Sequence, residues 1–274
     1  MPDKIVKSIE TCSPAMVRRV AAMLDAEKTL FTSGDILPRG WHFFMLAGET
    51  RKSELRKDGF PGLGVPLPDL GLPRLLLGGR TVAYEQDIII GAAIERTSFI
   101  KSITEKNSST GPMAIVTIQH ELRAIDKTTP ALTETQTYIL LSGNNIQLKT
   151  QKEAPAPVFS KWSKQFIPDE TLLFQYSALG FNSHKIHLDK NYAMNVEGFP
   201  DLVVNGGLAT LLLTEFIRTE LRIVLKDIKV KHIAPLFCNS AMTITAECEE
   251  TNCKLKIFDN NNVLAVEADA NLKN

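Results

Sequence analysis

Each half of the chain carries a run of strand-like segments, and this arrangement constrains the fold more than any other feature. In the first half, segments rich in β-branched and aromatic residues lie at residues 81–90, 94–105, 112–122 and 133–141. In the second half, strands are predicted at residues 172–176, 223–233 and 241–249 and in a hairpin over 254–272. Consecutive strands without helices between them form antiparallel sheets, so most of the chain is predicted to be antiparallel.

Two segments show helical patterns of apolar residues. Residues 206–222 carry leucines on nearly every side of the helix that they would form, which predicts a buried helix. Residues 14–27 place their apolar residues on one side, and Ser13 followed by Pro14 is a typical helix start. Residues 45–80 contain four prolines and several glycines, so that stretch is predicted to be rich in loops.

The two halves repeat the same order of elements. Gly-Phe-Pro stands at residues 59–61 before the first strand set and at residues 198–200 before the second helix and its strands. We therefore predict a duplicated module in which an antiparallel sheet of about five strands wraps a buried helix. This is an α+β, double-hotdog architecture, with one module over residues 1–145, a linker over 146–168 and a second module over 169–274.

Composition and charge exclude several classes of protein. The 274 residues include 31 basic and 31 acidic ones, and a net charge of zero argues against a surface for nucleic acid or for acidic membranes. No apolar run approaches the roughly 18 residues that span a bilayer, and the N-terminus lacks the apolar core of a signal peptide. The four cysteines show no metal-ligand spacing and are predicted to be reduced: Cys12, Cys238, Cys248 and Cys253. We expect a soluble, cytoplasmic protein.

The most specific pattern lies in residues 174–193, FQYSALGFNSHKIHLDKNYA, and 196–208, VEGFPDLVVNGGL. Both segments resemble the MaoC-type enoyl-thioester hydratases. They are most similar to the branch with 3-methylfumaryl-CoA (mesaconyl-CoA) hydratase, itaconyl-CoA hydratase and the type 2 hydroxyacyl-thioester dehydratases. His187 and Asp189 fit the MaoC-type motif, whereas Asn182 stands at the position of its catalytic aspartate.

The resemblance covers most of the chain, with three departures from the pattern of that branch. Lys185 replaces the usual arginine, Asn205 replaces a histidine and Gly207 replaces a proline. The resemblance implies a hydro-lyase that hydrates an enoyl-CoA or dehydrates the corresponding 3-hydroxyacyl thioester. It implies no metal or prosthetic group, and the preferred substrates would be short branched dicarboxylyl-CoA esters such as mesaconyl-CoA or itaconyl-CoA.

The hydration reaction needs a base for the water, a proton donor for the α-carbon and donors for the thioester oxygen. His187 is the natural base, because an imidazole titrates near neutral pH. Asn182 is predicted to orient the water through its side-chain carbonyl, since an amide does not exchange protons on this timescale. Asn182, Ser183 and His184 remain alternatives for a second proton relay.

The backbone amides of Gly206 and Gly207 are the predicted oxyanion donors, because they open the buried helix and meet the positive end of its dipole. Asp189 is expected to cap its loop. The first module is predicted to lack catalytic residues and to shape the acyl pocket. Predicted substrate-binding residues, with the two arginines facing a distal carboxylate or a phosphate, are His184, Lys185, Asn205, Arg74 and Arg80.

Three alternatives stay open at this point. The substrate of the hydro-lyase could be a 3-hydroxyacyl group on acyl carrier protein rather than on CoA. A hotdog thioesterase would need an acidic residue on the buried helix, where Glu215 stands. A non-catalytic acyl-thioester binding protein is the third alternative. The expected partner is the small acyl-thioester substrate alone, bound by a monomer or a homodimer.

Overall fold

A computed structural model describes residues 5–27, 31–108, 111–142 and 160–273. The strands are β1 Val6–Thr11, β2 Arg74–Tyr84, β3 Ala93–Ser108, β4 Gly111–Ala124, β5 Leu132–Leu141, β6 Trp162–Phe166, β7 Leu225–His232, β8 Met242–Glu249, β9 Asn252–Phe258 and β10 Leu264–Leu272. The α-helices are α1 Pro14–Met23, α2 Glu170–Leu179, α3 Lys190–Asn195 and α4 Gly206–Phe216, and α4 runs on into a π-helical turn, Ile217–Leu221.

All ten strands form one antiparallel sheet, in the order β1-β3-β4-β5-β2-β7-β10-β9-β8-β6. The first half of the chain supplies five neighbouring strands and the second half supplies the other five. The two sets meet where β2 pairs with β7, from Gly79 opposite Lys231 to Ala83 opposite Asp227. The α+β, double-hotdog prediction is confirmed.

The two sets of strands enclose different helical segments. In the second half, α4 is buried on every side, and Leu208, Leu211 and Leu213 are at most 1% exposed. Each such leucine stabilises the fold by roughly 1.5–3 kcal/mol relative to an exposed one. In the first half, the buried segment is a short 3₁₀ helix, Trp41–Leu46, with the amphipathic helix α1 nearby.

Three predicted elements differ from the structure. Residues 172–176, predicted as a strand, lie in α2, because Asp169 caps that helix by accepting a hydrogen bond from the Leu172 amide and a short apolar run suits either state. Strand β2 begins at Arg74, inside the predicted loop-rich stretch. Residues 162–166 form the edge strand β6 rather than linker. Residues 143–159 of the predicted linker region lie outside the described residues, so the division into modules stays a prediction.

The prediction of four reduced cysteines is wrong for two of them. Cys248 and Cys253 face each other across the β8–β9 hairpin and are joined by a disulfide. Sequence spacing alone does not reveal this pairing, since it depends on the hairpin register. Cys12 and Cys238 are free and buried. Among the described helices, none has the length and apolar character needed to cross a membrane.

Candidate active site

His187 ends a short 3₁₀ turn, Lys185–His187, between α2 and α3. Asp189 follows it and caps α3, because its carboxylate accepts a hydrogen bond from the Tyr192 amide at 3.0 Å. The structure thus confirms the predicted capping role of Asp189. The cap fixes the chain directly after His187 and so limits where the imidazole can lie.

The protonation of His187 follows from its hydrogen bond. The ring is 8% exposed, and Nδ1 lies 2.7 Å from the carbonyl oxygen of Val203. A carbonyl only accepts, so Nδ1 carries the hydrogen and Nε2 presents a lone pair. Burial, aided by His184, lowers the pKa of His187 to about 3, so the ring is neutral at pH 7. Within the described residues Nε2 has no hydrogen-bond partner, so it is available as a base.

The start of α4 lies close to His187 along the chain. Val203, which holds the imidazole, also pairs its amide with the carbonyl of Ile186 and precedes Gly206 by three residues. Three residues span at most about 10 Å, which limits how far the start of α4 can lie from the carbonyl that holds the ring. That His187, Gly206 and Gly207 act together in one site stays a prediction.

Close packing surrounds the first turn of α4. The Ala209 amide donates to the Asn205 carbonyl, so the preceding amides are the ones without partners inside the helix. A Cβ at Gly207 would lie 2.1 Å from the Tyr176 hydroxyl oxygen, and a Cβ at Gly206 would lie 2.8 Å from Leu77 Cδ2. A side chain at Gly207 would therefore require Tyr176 to move, and one at Gly206 would require the end of the Leu77 side chain to move.

Asn205 is the N-cap residue of α4, but its side chain makes no capping hydrogen bond. Its Nδ2 donates to Ser177 Oγ at 3.3 Å, whereas Oδ1 is buried and has no partner among the described residues. The ring of His232, on β7, lies within 3.3–3.4 Å of where a Gly206 Cβ would be, and its Nε2 is also buried without a partner. Sequence reasoning missed His232, which lies in a strand with no recognisable motif.

The side chain of Asn182 stabilises its own loop. Its carbonyl accepts a hydrogen bond from the His184 amide at 3.1 Å. Ser183 is likewise engaged, since its hydroxyl donates to the Gly59 carbonyl at 2.7 Å. The Asn182 carbonyl keeps a second lone pair, and its role in orienting the reacting water stays a prediction.

Lys185 is tied to the first half of the chain. Its amide donates to the Asp58 carbonyl at 2.8 Å, and its Nζ donates to the Lys57 carbonyl at 2.7 Å. Gly59 allows this contact through a positive φ of 77°, and a Cβ there would lie 2.3 Å from the Ser183 carbonyl oxygen. Lys185 thus joins the two halves, and its predicted contact with the substrate stays a prediction.

A cleft of about 480 Å³ opens between residues 56–76 of the first half and 184–199 of the second. Its charged lining consists of Arg56, Lys57, Asp58, Arg74, His184 and Glu197. His187, Gly206 and Gly207 do not contribute to this lining. The ring of His184 forms the connection, because it lines the cleft and its centroid lies 5.5 Å from that of His187.

The two predicted arginines lie in different surroundings. Arg74 lines the cleft, and its Nη2 lies 3.5 Å from Glu197. Arg80 is buried beside the start of α4, where its Nη2 lies 3.3 Å from where a Gly207 Cβ would be. Arg80 also pairs with Glu134 at 2.9 Å. Arg74 thus faces the cleft, whereas Arg80 supports the helix start from inside.

Glu134 is the centre of a buried ionic cluster that sequence reasoning missed. It is 0% exposed, and besides Arg80 it accepts a hydrogen bond from His42 Nε2 at 2.7 Å. Burial would raise the pKa of Glu134, but Arg80 and His42 outweigh burial and lower it to about 2. A signal existed in the sequence, since the alternation along β5 places Glu134, Gln136 and Tyr138 on the same face as the buried Leu132.

Glu215, the acid of the thioesterase alternative, is buried in the last part of α4. Its carboxylate accepts hydrogen bonds from Trp41 Nε1 at 2.6 Å and from Arg218 at 2.6 and 2.9 Å. It stands nine residues after Gly206, about 13.5 Å along the helix. Within the described residues, no cluster of three or more His, Cys, Asp or Glu side chains is arranged to hold a metal ion.

The double-hotdog fold and the sequence comparisons together place the chain among the hydro-lyases of acyl thioesters. The family model "hydroxyacyl-thioester dehydratase type 2" matches residues 40–238. The chain therefore belongs to the hydroxyacyl-thioester dehydratase type 2 family.

Individual relatives agree with this assignment. The mesaconyl-C(4)-CoA hydratase of Chloroflexus aurantiacus is 33% identical over 222 residues, which cover 79% of this chain and 77% of the relative. The mitochondrial hydroxyacyl-thioester dehydratase type 2 of Schizosaccharomyces pombe is 25% identical, over 76% of this chain and 77% of its own. A MaoC-like dehydratase from Phytophthora capsici shares the fold, with a TM-score of 0.71, 12% identity and coverage of 99% and 96% of the two chains.

Proposed function

We propose that His187 is the general base of a reversible hydration of enoyl-CoA esters, with short branched dicarboxylyl-CoA esters such as mesaconyl-CoA or itaconyl-CoA as preferred substrates. The observation that carries this proposal is the neutral imidazole, with an unpartnered Nε2, held by Val203 next to the start of α4. In the hydration direction, Nε2 takes a proton from water while the water oxygen bonds to the β-carbon. The alkene electrons move toward the thioester oxygen, and the α-carbon then gains a proton.

The amides of Gly206 and Gly207 are the proposed partners of the thioester oxygen. Negative charge accumulates on that oxygen in the enolate-like species, and each well-placed donor contributes about 2.7–4 kcal/mol in comparable sites. Because neither position has a side chain, the thioester oxygen can approach the backbone amides. At Gly207 this approach requires the Tyr176 hydroxyl to move, since it lies where a Cβ of residue 207 would be. Dehydration uses the same groups in reverse order.

The cleft is the proposed site for the anionic part of the substrate. Arg56, Lys57 and Arg74 line it together with two carboxylates, those of Asp58 and Glu197, so its formal charge is +1. This excess of positive charge suits a distal carboxylate or a CoA phosphate. The dicarboxylyl preference is supported by the 33% identity to a mesaconyl-C(4)-CoA hydratase. The cytoplasmic location and the monomeric or homodimeric state remain predictions.

The test follows the enoyl absorbance and the free thiol during incubation with mesaconyl-, itaconyl- and crotonyl-CoA and with a crotonyl-acyl carrier protein. Hydration consumes the absorbance without releasing thiol, whereas a thioesterase releases thiol and a binding protein does neither. We expect the fastest turnover on a dicarboxylyl ester. Faster turnover on the carrier-protein thioester would instead assign the dehydratase step of fatty-acid synthesis.

Two variants make the assignment of the base specific. His187→Ala is expected to lower kcat at least about 100-fold, the usual minimum for removing a general base. Lys190→Gln, three residues further along the chain at the exposed start of α3, serves as the matched control with unchanged kcat. Near-normal turnover by folded His187→Ala would exclude His187 as the base.

A further inference from the structure

Asp58, from the first half of the chain, lies beside His184 of the second half, and nothing in the sequence motifs connects the two. We propose that His184 is the second proton-transfer group of this site and that Asp58 is the positioning residue that supports its protonated form. The proposal rests on the proposed function of His187 as the base. It supplies the carboxylate that is missing where Asn182 stands in place of an acid.

The contact between Asp58 and His184 is fixed by the backbone. The Lys185 amide donates to the Asp58 carbonyl at 2.8 Å, and Ser183 Oγ donates to the Gly59 carbonyl at 2.7 Å. These two bonds hold the residues on both sides of His184 against the segment that carries Asp58. The pairing therefore does not depend on a flexible side chain reaching across open solvent.

The carboxylate of Asp58 is itself oriented. Its Oδ1 accepts a hydrogen bond from the Phe60 amide at 3.0 Å, and its Oδ2 lies 2.9 Å from Arg56 Nη2. The same Oδ2 lies 3.7 Å from His184 Nε2. At that distance the carboxylate acts on the imidazole by its charge, and it does not occupy either ring nitrogen as a hydrogen-bond partner.

Among the three residues that the sequence left open, the geometry favours His184. Asn182 and Ser183 are engaged in loop hydrogen bonds, whereas within the described residues neither ring nitrogen of His184 has a hydrogen-bond partner. The His184 ring lines the cleft and stands perpendicular to the His187 ring, with centroids 5.5 Å apart. It is therefore the one of the three that an acyl group in the cleft can meet.

In the proposed step, one water adds across the double bond, with His187 as the base and His184 as the acid. His187 Nε2 takes one proton from water, and the resulting hydroxide oxygen forms the bond to the β-carbon. The alkene electron pair becomes the enolate, whose α-carbon takes a proton from protonated His184, so that a C–H bond forms as an N–H bond breaks. The proton left on His187 passes to solvent, and solvent reprotonates His184. One water is added, and both histidines return to their starting states.

The charges that face His184 decide how readily it is protonated. Burial lowers the pKa of His184, and the carboxylate of Asp58 opposes this shift. The positive charge of Arg56 lowers the pKa further, and the carboxylate of Glu197 raises it to a smaller extent. His187 is the remaining titratable group against the ring, and it is neutral at pH 7. Removing the charge of Asp58 should therefore lower the pKa of His184 further, while removing the charge of Arg56 should raise it.

The first experiment measures that titration directly and does not require activity. The chain has five histidines, so nitrogen-15 NMR of the imidazoles can be assigned by single substitutions. Asp58→Asn, which keeps an oxygen for the Phe60 amide, should lower the pKa of His184, and Arg56→Gln should raise it. The exposed Glu54→Gln is the control without a shift. An unchanged His184 titration in folded Asp58→Asn would overturn the proposal.

The second experiment measures turnover as a function of pH. Asp58→Asn should lower kcat about 10- to 100-fold with little change in KM, and should move the alkaline limb to lower pH, because His184 then loses its proton earlier. The double variant Asp58→Asn with His184→Gln should be no slower than His184→Gln alone, since Asp58 acts through His184. If Asp58→Asn keeps the wild-type kcat and the wild-type alkaline limb of the pH profile, this proposal is overturned and the proposed role of His187 stands. A wild-type chain without turnover on any thioester overturns both proposals.

Discussion

The two halves of the molecule differ in how their buried polar groups are partnered. In the second half, His187 is neutral and leaves Nε2 unpartnered within the described residues, beside a helix start whose amides are also unpaired within the helix. In the first half, Glu134 is charged and fully buried, with contacts to Arg80 and His42. The arrangement at His187 leaves a lone pair that a substrate could use, whereas the one at Glu134 pairs opposite charges, although His42 Nδ1 and Arg80 Nε have no hydrogen-bond partner among the described residues. Under the proposed function, the arrangement at His187 is the reacting site and the one at Glu134 supports it.

The helical segments explain this division. Helix α4 begins at Gly206 with amides that have no partner inside the helix, and its leucines are buried within the second half. Its counterpart, the 3₁₀ helix Trp41–Leu46, contributes His42 to the ionic cluster instead. Arg80 then links the two, because it binds Glu134 and also reaches Gly207. The first half thus supports the helix start of the second from within the fold.

The largest expected effect follows from breaking the supporting cluster. Glu134→Gln leaves the guanidinium of Arg80 buried without a counter-charge, which should lower the free energy of unfolding by about 3–5 kcal/mol. His187→Ala should cost much less stability, since its ring binds a single carbonyl. Urea unfolding of both variants measures the contrast. Equal losses in the two variants would contradict the division between a supporting and a reacting region.

Acid should destabilise the buried histidines and the Glu134 cluster in different pH ranges. One of these histidines, His120 on β4, lies in the first half, and burial lowers its pKa to about 4. Burial lowers the pKa of His187 to about 3 and, helped by Arg80, that of His232 to about 4, so the unfolded chain binds these protons first as pH falls below about 6.5. The stability contributed by these neutral rings is therefore lost from about pH 6.5 down to about pH 4 for His232 and about pH 3 for His187, on the order of 3–5 kcal/mol each. Glu134, whose pKa is lowered to about 2, contributes stability that is lost only below about pH 4.5.

Unfolding by urea at a series of pH values tests this order. His232→Gln should reduce the slope between pH 7 and 5 and leave the loss below pH 4.5 in place, since it removes only one of the neutral rings. A free energy of unfolding that stays constant from pH 7 to 5 would show that these imidazoles are not held neutral.

The sequence predicted what short-range patterns determine. The apolar circumference of residues 206–222, the alternation of the strands and the capping position of Asp189 led to α4, to the sheet and to the fixed loop after His187. The sequence did not reveal contacts that depend on a distant partner. The loop of Asn182 and His184, for example, is held against the first half by the hydrogen bond from Ser183 to the Gly59 carbonyl.

The same reason explains the residues that were missed. Glu134 becomes a cluster centre only because β2 places Arg80 next to it, and Asp58 comes beside His184 only through contacts between the halves. Cys248 meets Cys253 through the register of a hairpin. Such pairings depend on three-dimensional packing, and no spacing in one sequence encodes them.

A smaller effect is expected from crowding the helix start. A methyl group at Gly207 would lie 2.1 Å from the Tyr176 hydroxyl oxygen, so Gly207→Ala should displace the ring or the helix and lower kcat/KM about 10- to 100-fold. Tyr176→Phe in the same chain removes that oxygen, and the nearest ring carbon is then 3.2 Å away. The double variant should recover part of the activity. If it stays as slow as Gly207→Ala, the loss does not come from this contact.

The smallest effect on turnover is expected at the other end of α4. Glu215 lies about 13.5 Å from the helix start and is held by Trp41 and Arg218, so it takes no part in proton transfer at His187. Glu215→Gln should keep the hydration rate and lose about 1.5–3 kcal/mol of stability, because a charged hydrogen bond becomes a neutral one. Measured with the same thioesters, a large loss of hydration or of thiol release in folded Glu215→Gln would place chemistry at this carboxylate. The reacting region would then extend along the whole helix, and the contrast between the two halves would no longer describe the molecule.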